Sequence, residues 1–240
     1  MDHSQVPRTR DIDVGSVILC PGAQTFDPSR LDQFYYYTSH PNVVTSLEFE
    51  RILSATGPSA GHLQTLSDGR EPRKIAWLQC VGSRDQNQCG NGYCSSMCCM
   101  YAIKEAVVAK EHAEHELDCV IFNMDIRSFG KDYERYYQRA ADTFGVRFIK
   151  SRIHTVLPRS GSDELLLDYV DDSGVRQEEA FDMVVLSVGL ETSSSAVEMA
   201  RRLGVELDGH NFAKSPVFQP CRTSRRSEEH TSELQSLSHI

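Results

Sequence analysis

Apolar and polar positions along the chain fall into short runs of two periodicities, and their order predicts alternating strands and helices. Gly15-Ser-Val-Ile-Leu-Cys20 is a mostly apolar run closed by Pro21-Gly22, which reads as a buried strand stopped by a turn. Thr45–Ser54 (TSLEFERILS) sets Leu47, Phe49, Ile52 and Leu53 at helical spacings behind a Thr or Ser cap and predicts a short helix. Residues 57–73 are rich in Gly, Pro and Ser without a period, which marks a linker and a domain boundary. The pattern then changes to strand at Lys74–Val81, helix at Ser95–His115, strand at Cys119–Met124, helix at Asp132–Phe144 and strand at Val146–Ile149. That order predicts a doubly wound βαβαβ unit with parallel strands.

Beyond it Leu165–Val170 and Val175–Phe181 flank Asp171-Asp-Ser-Gly174, a hairpin signal. Phe181–Val188 (FDMVVLSV) reads as an apolar strand ending at Gly189, and Ser193–Leu203 as a last helix with Gly204 past its end. From about Arg225 the sequence turns polar and aperiodic, resembling vector read-through. Residues 225–240 are therefore set aside from fold reasoning as a non-native tail. The chain is accordingly expected to be a piece of a longer protein at both ends.

Composition narrows the class. With 240 residues, 40% hydrophobic, 25% charged and mean hydropathy −0.40, the chain sits among soluble globular proteins of one large or two small domains. A net charge of −9 with no basic stripe excludes a nucleic-acid binder. The longest apolar runs, Val184–Val188 and Val17–Cys20, fall far short of the roughly 20 residues of a membrane helix. The opening MDHSQVPRTRDID lacks the apolar core of a secretory signal, so a cytoplasmic location is expected.

Eight cysteines are then the unusual feature, because a reducing compartment gives little reason to keep them as disulfides. Cys80, Cys89, Cys94, Cys98 and Cys99 fall within twenty residues, whereas Cys20, Cys119 and Cys221 are scattered. Cys80, thirteen residues, Cys94, three residues, Cys98 and at once Cys99 supply four thiolates, the usual ligand set of an iron–sulfur cluster. Cys80 would end the first strand of the βαβ unit and the other three would open its helix, where open α/β sheets bind ligands and helix amides favour an anionic guest. Inert packing, zinc and a redox dithiol stay open beside the cluster on spacing alone, although adjacent Cys98 and Cys99 fit a zinc knuckle poorly. Cys89, in DQNQCGNG, is a fifth thiol of the same loop.

Gly90-Asn-Gly92-Tyr-Cys-Ser95 approximates a G-x-G-x-x-G dinucleotide fingerprint, with Asp125 where an acidic residue would meet a ribose. Its glycines start nine residues after Cys80 and its third glycine is Ser95, so the signal is weak. His112 and His115 read as a solvated helix face, Tyr133, Tyr136 and Tyr137 as amphipathic packing, Arg127 and Lys131 as surface charge, and Trp77 as core.

WLQCVGSRD (77–85), YCSSMCCMYAIKEAVVAKEH (93–112), MDIRSFGKDYERYY (124–137), GVRFIKSRI (145–153) and FDMVVLSVGLETS (181–193) resemble the family of the iron–sulfur A-type subunits of CoB-CoM heterodisulfide reductase. That family is related to the A-type flavoprotein of the quinone-interacting membrane-bound oxidoreductase complex. The resemblance runs from Gly15 to Ser224. It implies a thioredoxin-reductase-like α/β fold, in which a Rossmann-type domain with a β-meander is inserted into an FAD domain, here incomplete. Residues 1–56 would be a remnant of the FAD domain, 57–73 a linker, 74–190 the cluster-binding domain and 191–224 the return into the FAD domain. By motif Cys80, Cys94, Cys98 and Cys99 would ligate one [4Fe-4S] cluster, with Cys89 outside the family pattern. Gly22, in Cys20-Pro21-Gly22, and Gly189 would contact FAD.

The resemblance also implies electron transfer between FAD and the cluster, with bifurcation in some members. The partners would be other reductase subunits and hydrogenase or ferredoxin-like carriers in a hetero-oligomer. The FAD fingerprint expected before Gly15 and the FAD segment expected after Arg225 are not in the sequence, and neither are ferredoxin-type C-x2-C-x2-C-x3-C runs. The chain alone is therefore expected to be inactive. Two other classes compete: a zinc-stabilised interaction domain without redox chemistry, and an NAD(P)H-dependent flavin oxidoreductase using Gly90 and Gly92.

Overall fold

The computed structural model describes residues 6, 8–219 and 222–225. After the short β1 (Gln24–Thr25) and α1 (Asp32–Tyr35) come β2 (Val43–Thr45), α2 (Ser46–Leu53), β3 (Lys74–Val81), α3 (Cys98–His112), β4 (Asp118–Asn123), α4 (Tyr133–Asp142) and β5 (Arg147–Lys150). They are followed by β6 (Val156–Pro158), β7 (Leu165–Val170), β8 (Arg176–Phe181), β9 (Met183–Val188), β10 (Leu190–Glu191) and α5 (Ser194–Leu203). Five strands form a parallel sheet in the order β2-β9-β3-β4-β5, while β6-β7-β8 form an antiparallel meander and β1 pairs with β10. The expected parallel βαβαβ unit is thus β3-α3-β4-α4-β5, a mixed α/β architecture with the later β9 inserted beside β3.

Strand alternation divides the core in two. Ile75, Trp77, Cys119, Ile121, Met183 and Val185 face α2 and α3. Their neighbours Ala76, Leu78, Val120, Phe122, Val184 and Leu186 face Val156, Leu165, Leu167 and Phe181 of the meander. Both faces are covered, so these strands read as continuous apolar runs.

Local chemistry sets the ends. Thr45 and Glu48 make a reciprocal capping box on α2: Thr45 Oγ1 accepts from Glu48 N at 3.3 Å, and Glu48 Oε2 accepts from Thr45 N at 2.7 Å. Ser193 caps α5, and Gly204 closes it in the left-handed region. In the β7–β8 turn Asp171 Oδ1 accepts from Ser173 N and Val175 N. Asp182 splits the expected Phe181–Val188 strand in two, and its carboxylate accepts from Arg73 N, Lys74 N and Arg70 Nη2.

Two expectations are corrected. Gly15–Cys20 is not a strand: Val17 and Ile18 are 63% and 89% exposed, and no described strand pairs with it, so an apolar pattern without a neighbour has neither ladder nor buried face. The helix expected from Ser95 begins at Cys98, because Ser96 has φ +60°, and stops at His112, where Ala113 turns extended. The stretch from Pro21 to Thr45, which carries no clear sequence period, holds β1, α1 and β2, and β2 is an edge of the main sheet. Cys221 and residues 226–240 lie outside the described residues.

Candidate iron–sulfur site

The last turn of β3 is irregular. The register between β3 and β9 shifts between Leu78 and Val81, and Cys80 takes φ +63°, a conformation that costs about 1–3 kcal/mol in a residue with a Cβ. Beyond it residues 84–93 fold back on themselves. Arg84 N donates to Tyr93 O and Asp85 N to Asn91 O, both at 2.8 Å, and Asn91 N returns a bond to Asp85 O at 3.1 Å. This pinch brings Cys94 back to Cys80 across a thirteen-residue gap. The loop is fastened to the chain after β9. Tyr93 Oη donates to Leu190 O at 2.8 Å, and Ser95 Oγ accepts from Leu190 N at 2.9 Å. Gly189 lets this approach happen, since a Cβ there would stand 2.7 Å from Ser95 Oγ. Gly22 is exposed, with φ +71° and open space where a Cβ would stand.

Cys98 and Cys99 open α3, so all four thiols gather at the C-terminal edge of the sheet beside a helix N-terminus. Cys80, Cys94, Cys98 and Cys99 are each at most 4% exposed. Their charges are felt mutually. Burial first, and then the neighbouring thiols Cys80, Cys99 and Cys94, push Cys98 far above the ordinary thiol value, although its own backbone N–H works the other way. Burial raises Cys99 to about 11 against the backbone N–H of Arg127. Burial also raises Cys80, against the Arg84 guanidinium beside it. Ser96 N donates to Cys94 Sγ at 3.3 Å, and the Cys99 thiol donates to Asp125 O at 3.9 Å.

Burial thus makes Cys80, Cys98 and Cys99 poor acids, which is the condition a cationic guest reverses. Among the described residues, no three His, Cys, Asp or Glu side chains converge tightly enough for a single metal ion. One tetrahedral ion with bonds of about 2.3 Å needs its sulfurs within about 4 Å of one another. A multi-iron cluster spaces its ligating sulfurs more widely.

Other residues of interest fall outside this group. Cys89 is buried, and Asp85, Arg30, Arg152 and Glu191 dominate its surroundings rather than the four thiols. Cys119 is buried in the core, where its thiol donates to Ala106 O at 3.7 Å. Gly90 and Gly92 lie in the pinched loop, with Tyr93–Met97 between them and α3, so they do not make the strand–turn–helix cradle of a dinucleotide fingerprint. Asp125, considered above as a ribose ligand, is instead engaged by Arg84 and by Arg127 Nε at 3.3 Å. Burial opposes its charge, yet the two guanidinium groups hold it below the usual carboxylate value. His112 and His115 are solvated, with His112 Nδ1 3.0 Å from Gly61 O, while Tyr136 and Tyr137 pack on the helical core and Tyr133 is exposed. Sequence reasoning missed Arg84 and Ser96. A cation four residues after the first thiol was the available signal for Arg84, and nothing in the sequence marks the conformation of Ser96.

This is a Rossmann-type α/β protein with a buried four-thiol site at the edge of its parallel sheet. No family model matches the chain. Among curated proteins it is 40% identical, over 224 residues, to the A-type subunit of the H2/formate:CoB-CoM heterodisulfide, ferredoxin reductase of Methanococcus maripaludis, covering 92% of this chain and 34% of that protein. It is 39% identical over 224 residues to the iron-sulfur A-type subunit of the CoB-CoM heterodisulfide reductase of Methanocaldococcus jannaschii, with the same coverage. The chain belongs to this family of heterodisulfide reductase A-type subunits and spans about a third of the length of these relatives. A thioredoxin reductase of Lactococcus lactis superposes on 91% of this chain and 60% of its own at 15% identity and a TM-score of 0.47, too low to carry weight.

Proposed function

We propose that this chain is the cluster-bearing part of an FAD- and iron–sulfur-dependent oxidoreductase of heterodisulfide-reductase type, with Cys80, Cys94, Cys98 and Cys99 as ligands of one [4Fe-4S] cluster. The observation that carries the reading is the burial of these four thiols together at the sheet edge. When bound, such a cluster supplies one-electron carriage. The chain's own part is to present four sulfurs, exclude water from them and surround them with N–H donors and guanidinium charge.

The sequence segments take roles accordingly: 1–56 and 191–224 as parts of an FAD domain, 57–73 as the linker, 74–190 as the cluster domain and 225–240 as a non-native tail. Gly22 and Gly189 would approach the flavin in the thioredoxin-reductase-like whole. Electron exchange would then run between FAD and cluster. The partners would be other subunits of the reductase, with ferredoxin-like or hydrogenase-type carriers, in the cytoplasm. The word "ferredoxin" in the first relative's name and "iron-sulfur" in the second's support this assignment.

The test is anaerobic purification of the chain, reconstitution with ferrous iron and sulfide, and absorption and EPR spectra before and after dithionite. A broad visible band that bleaches, a reduced-cluster signal, and loss of iron and labile sulfide in serine variants of the four cysteines are expected. A colourless protein holding about one zinc, or iron content unmoved by Cys98→Ser, would sink the reading.

A further inference from the structure

Arg84 is neither a thiol nor a surface charge. It follows the Cys80 turn with φ +53°, and its side chain is 22% exposed. Its guanidinium stands beside Cys80 and is gripped from the other side by Asp125, which also receives Arg127 Nε. Asp125 follows β4 and its own carbonyl is the one that Cys99 contacts, so the pair spans the thiol site from the end of β3 to the end of β4. A second fixed dipole faces Cys94. Ser96 adopts φ +60° and aims its N–H at Cys94 Sγ, and the buried Ser96 Oγ has no partner among the described residues.

We propose that Arg84 is a positioning residue that raises the reduction potential of a cluster held by these thiols, and that Asp125 fixes the guanidinium in place while offsetting part of its charge. The inference rests on the reading under Proposed function. Its physical basis is simple. Reduction by an external donor adds one electron to a four-thiolate set that is already anionic, so a fixed cation beside Cys80 stabilises the reduced form more than the oxidised one. A carboxylate at the same place does the opposite. Surface ion pairs do little of this because water screens them, but this guanidinium is mostly shielded.

The experiment is a potentiometric EPR titration of the chain after anaerobic reconstitution with iron and sulfide. The variants are Arg84→Gln, Arg84→Lys and Asp125→Asn, with iron and sulfide content measured in each. Arg84→Gln is expected to lower the reduced-to-oxidised ratio at fixed potential about tenfold, which for one electron is a shift of about 59 mV to more negative values. Arg84→Lys, which keeps the charge, restores most of the shift, and Asp125→Asn moves the potential the other way. A residue that merely supports the loop would move Arg84→Gln and Asp125→Asn in the same direction through shared loosening. Shifts of the same sign, or none, overturn the proposal. If Arg84→Gln cannot hold a cluster, Asp125→Asn decides alone: an upward shift supports the proposal, and an unchanged or lowered potential overturns it. Failure of the unmodified chain to take up a cluster would instead refute the functional reading beneath it.

Discussion

Glu105 offers a stability test independent of any cofactor. It lies on the inner face of α3, 1% exposed, where Oε2 accepts from Trp77 Nε1 at 2.9 Å and Oε1 has no partner among the described residues. Burial raises its carboxyl from 4.5 to about 8, against the Trp77 hydrogen bond, with Glu50 adding to the rise and Lys104 opposing it. The folded state therefore keeps a proton that the unfolded chain releases above pH 4.5. Stability from this group is complete below pH 4.5, falls as pH rises, and is fully lost above about 8. A shift of that size corresponds to about 5 kcal/mol between the two limits, and to roughly 3 kcal/mol already lost at pH 7. Glu105→Gln cannot ionise and keeps an oxygen for Trp77, but its amide buries two donors at a cost of about 1–3 kcal/mol. Urea unfolding of both proteins from pH 4.5 to 9 should cross: the variant is the weaker at pH 4.5 and the stronger by about 2–4 kcal/mol at pH 9. A constant offset across the range would refute the assignment of a buried neutral carboxyl.

Two further outcomes separate structural from site residues. Cys119→Ser should lower stability by about 1–3 kcal/mol, read from the urea midpoint, by placing a hydroxyl in an apolar core, while leaving iron uptake intact; Cys94→Ser should instead abolish iron uptake. Asp182→Ala removes the acceptor of two backbone N–H groups and of Arg70, so it should cost about 2–4 kcal/mol in the same assay, and a loss under about 0.5 kcal/mol would deny this carboxylate its anchoring role.

The parallel unit was legible because both faces of its strands are buried. Lys74–Val81 spans the same eight residues in sequence pattern and in structure, and Cys98–His112 lies inside the expected helix. Elements whose partners are distant in sequence were not legible. Val43–Thr45 is too short to show a period, and it becomes a strand only because β9, about 140 residues later, lies beside it. The converse holds at Gly15–Cys20, where the pattern of a buried strand is present and the neighbour is not. At the thiols, spacing in sequence identified the four cysteines, but the arginine and carboxylate around them are brought in by tertiary folding: Arg84 and Asp125 are 41 residues apart.

The same region concentrates backbone strain. Of the seven described non-glycine residues with positive φ, Cys80, Arg84 and Ser96 fall within the stretch that carries the thiols. Each such residue costs about 1–3 kcal/mol and persists only where its surroundings over-determine it. Here the surroundings are specific: β3 is held between β4 and β9, the loop is pinched at Asp85 and Asn91, and Leu190 is bonded by Ser95 and Tyr93. A chain that only needed to close the βα turn could do so with relaxed residues. The strain becomes intelligible if the turn must hold Cys80 beside Arg84 and aim the Ser96 N–H at Cys94, because each distorted residue either carries a thiol or directs a donor or a positive charge toward one. The two cores flanking the sheet supply the stability that keeps this polar, distorted edge in place.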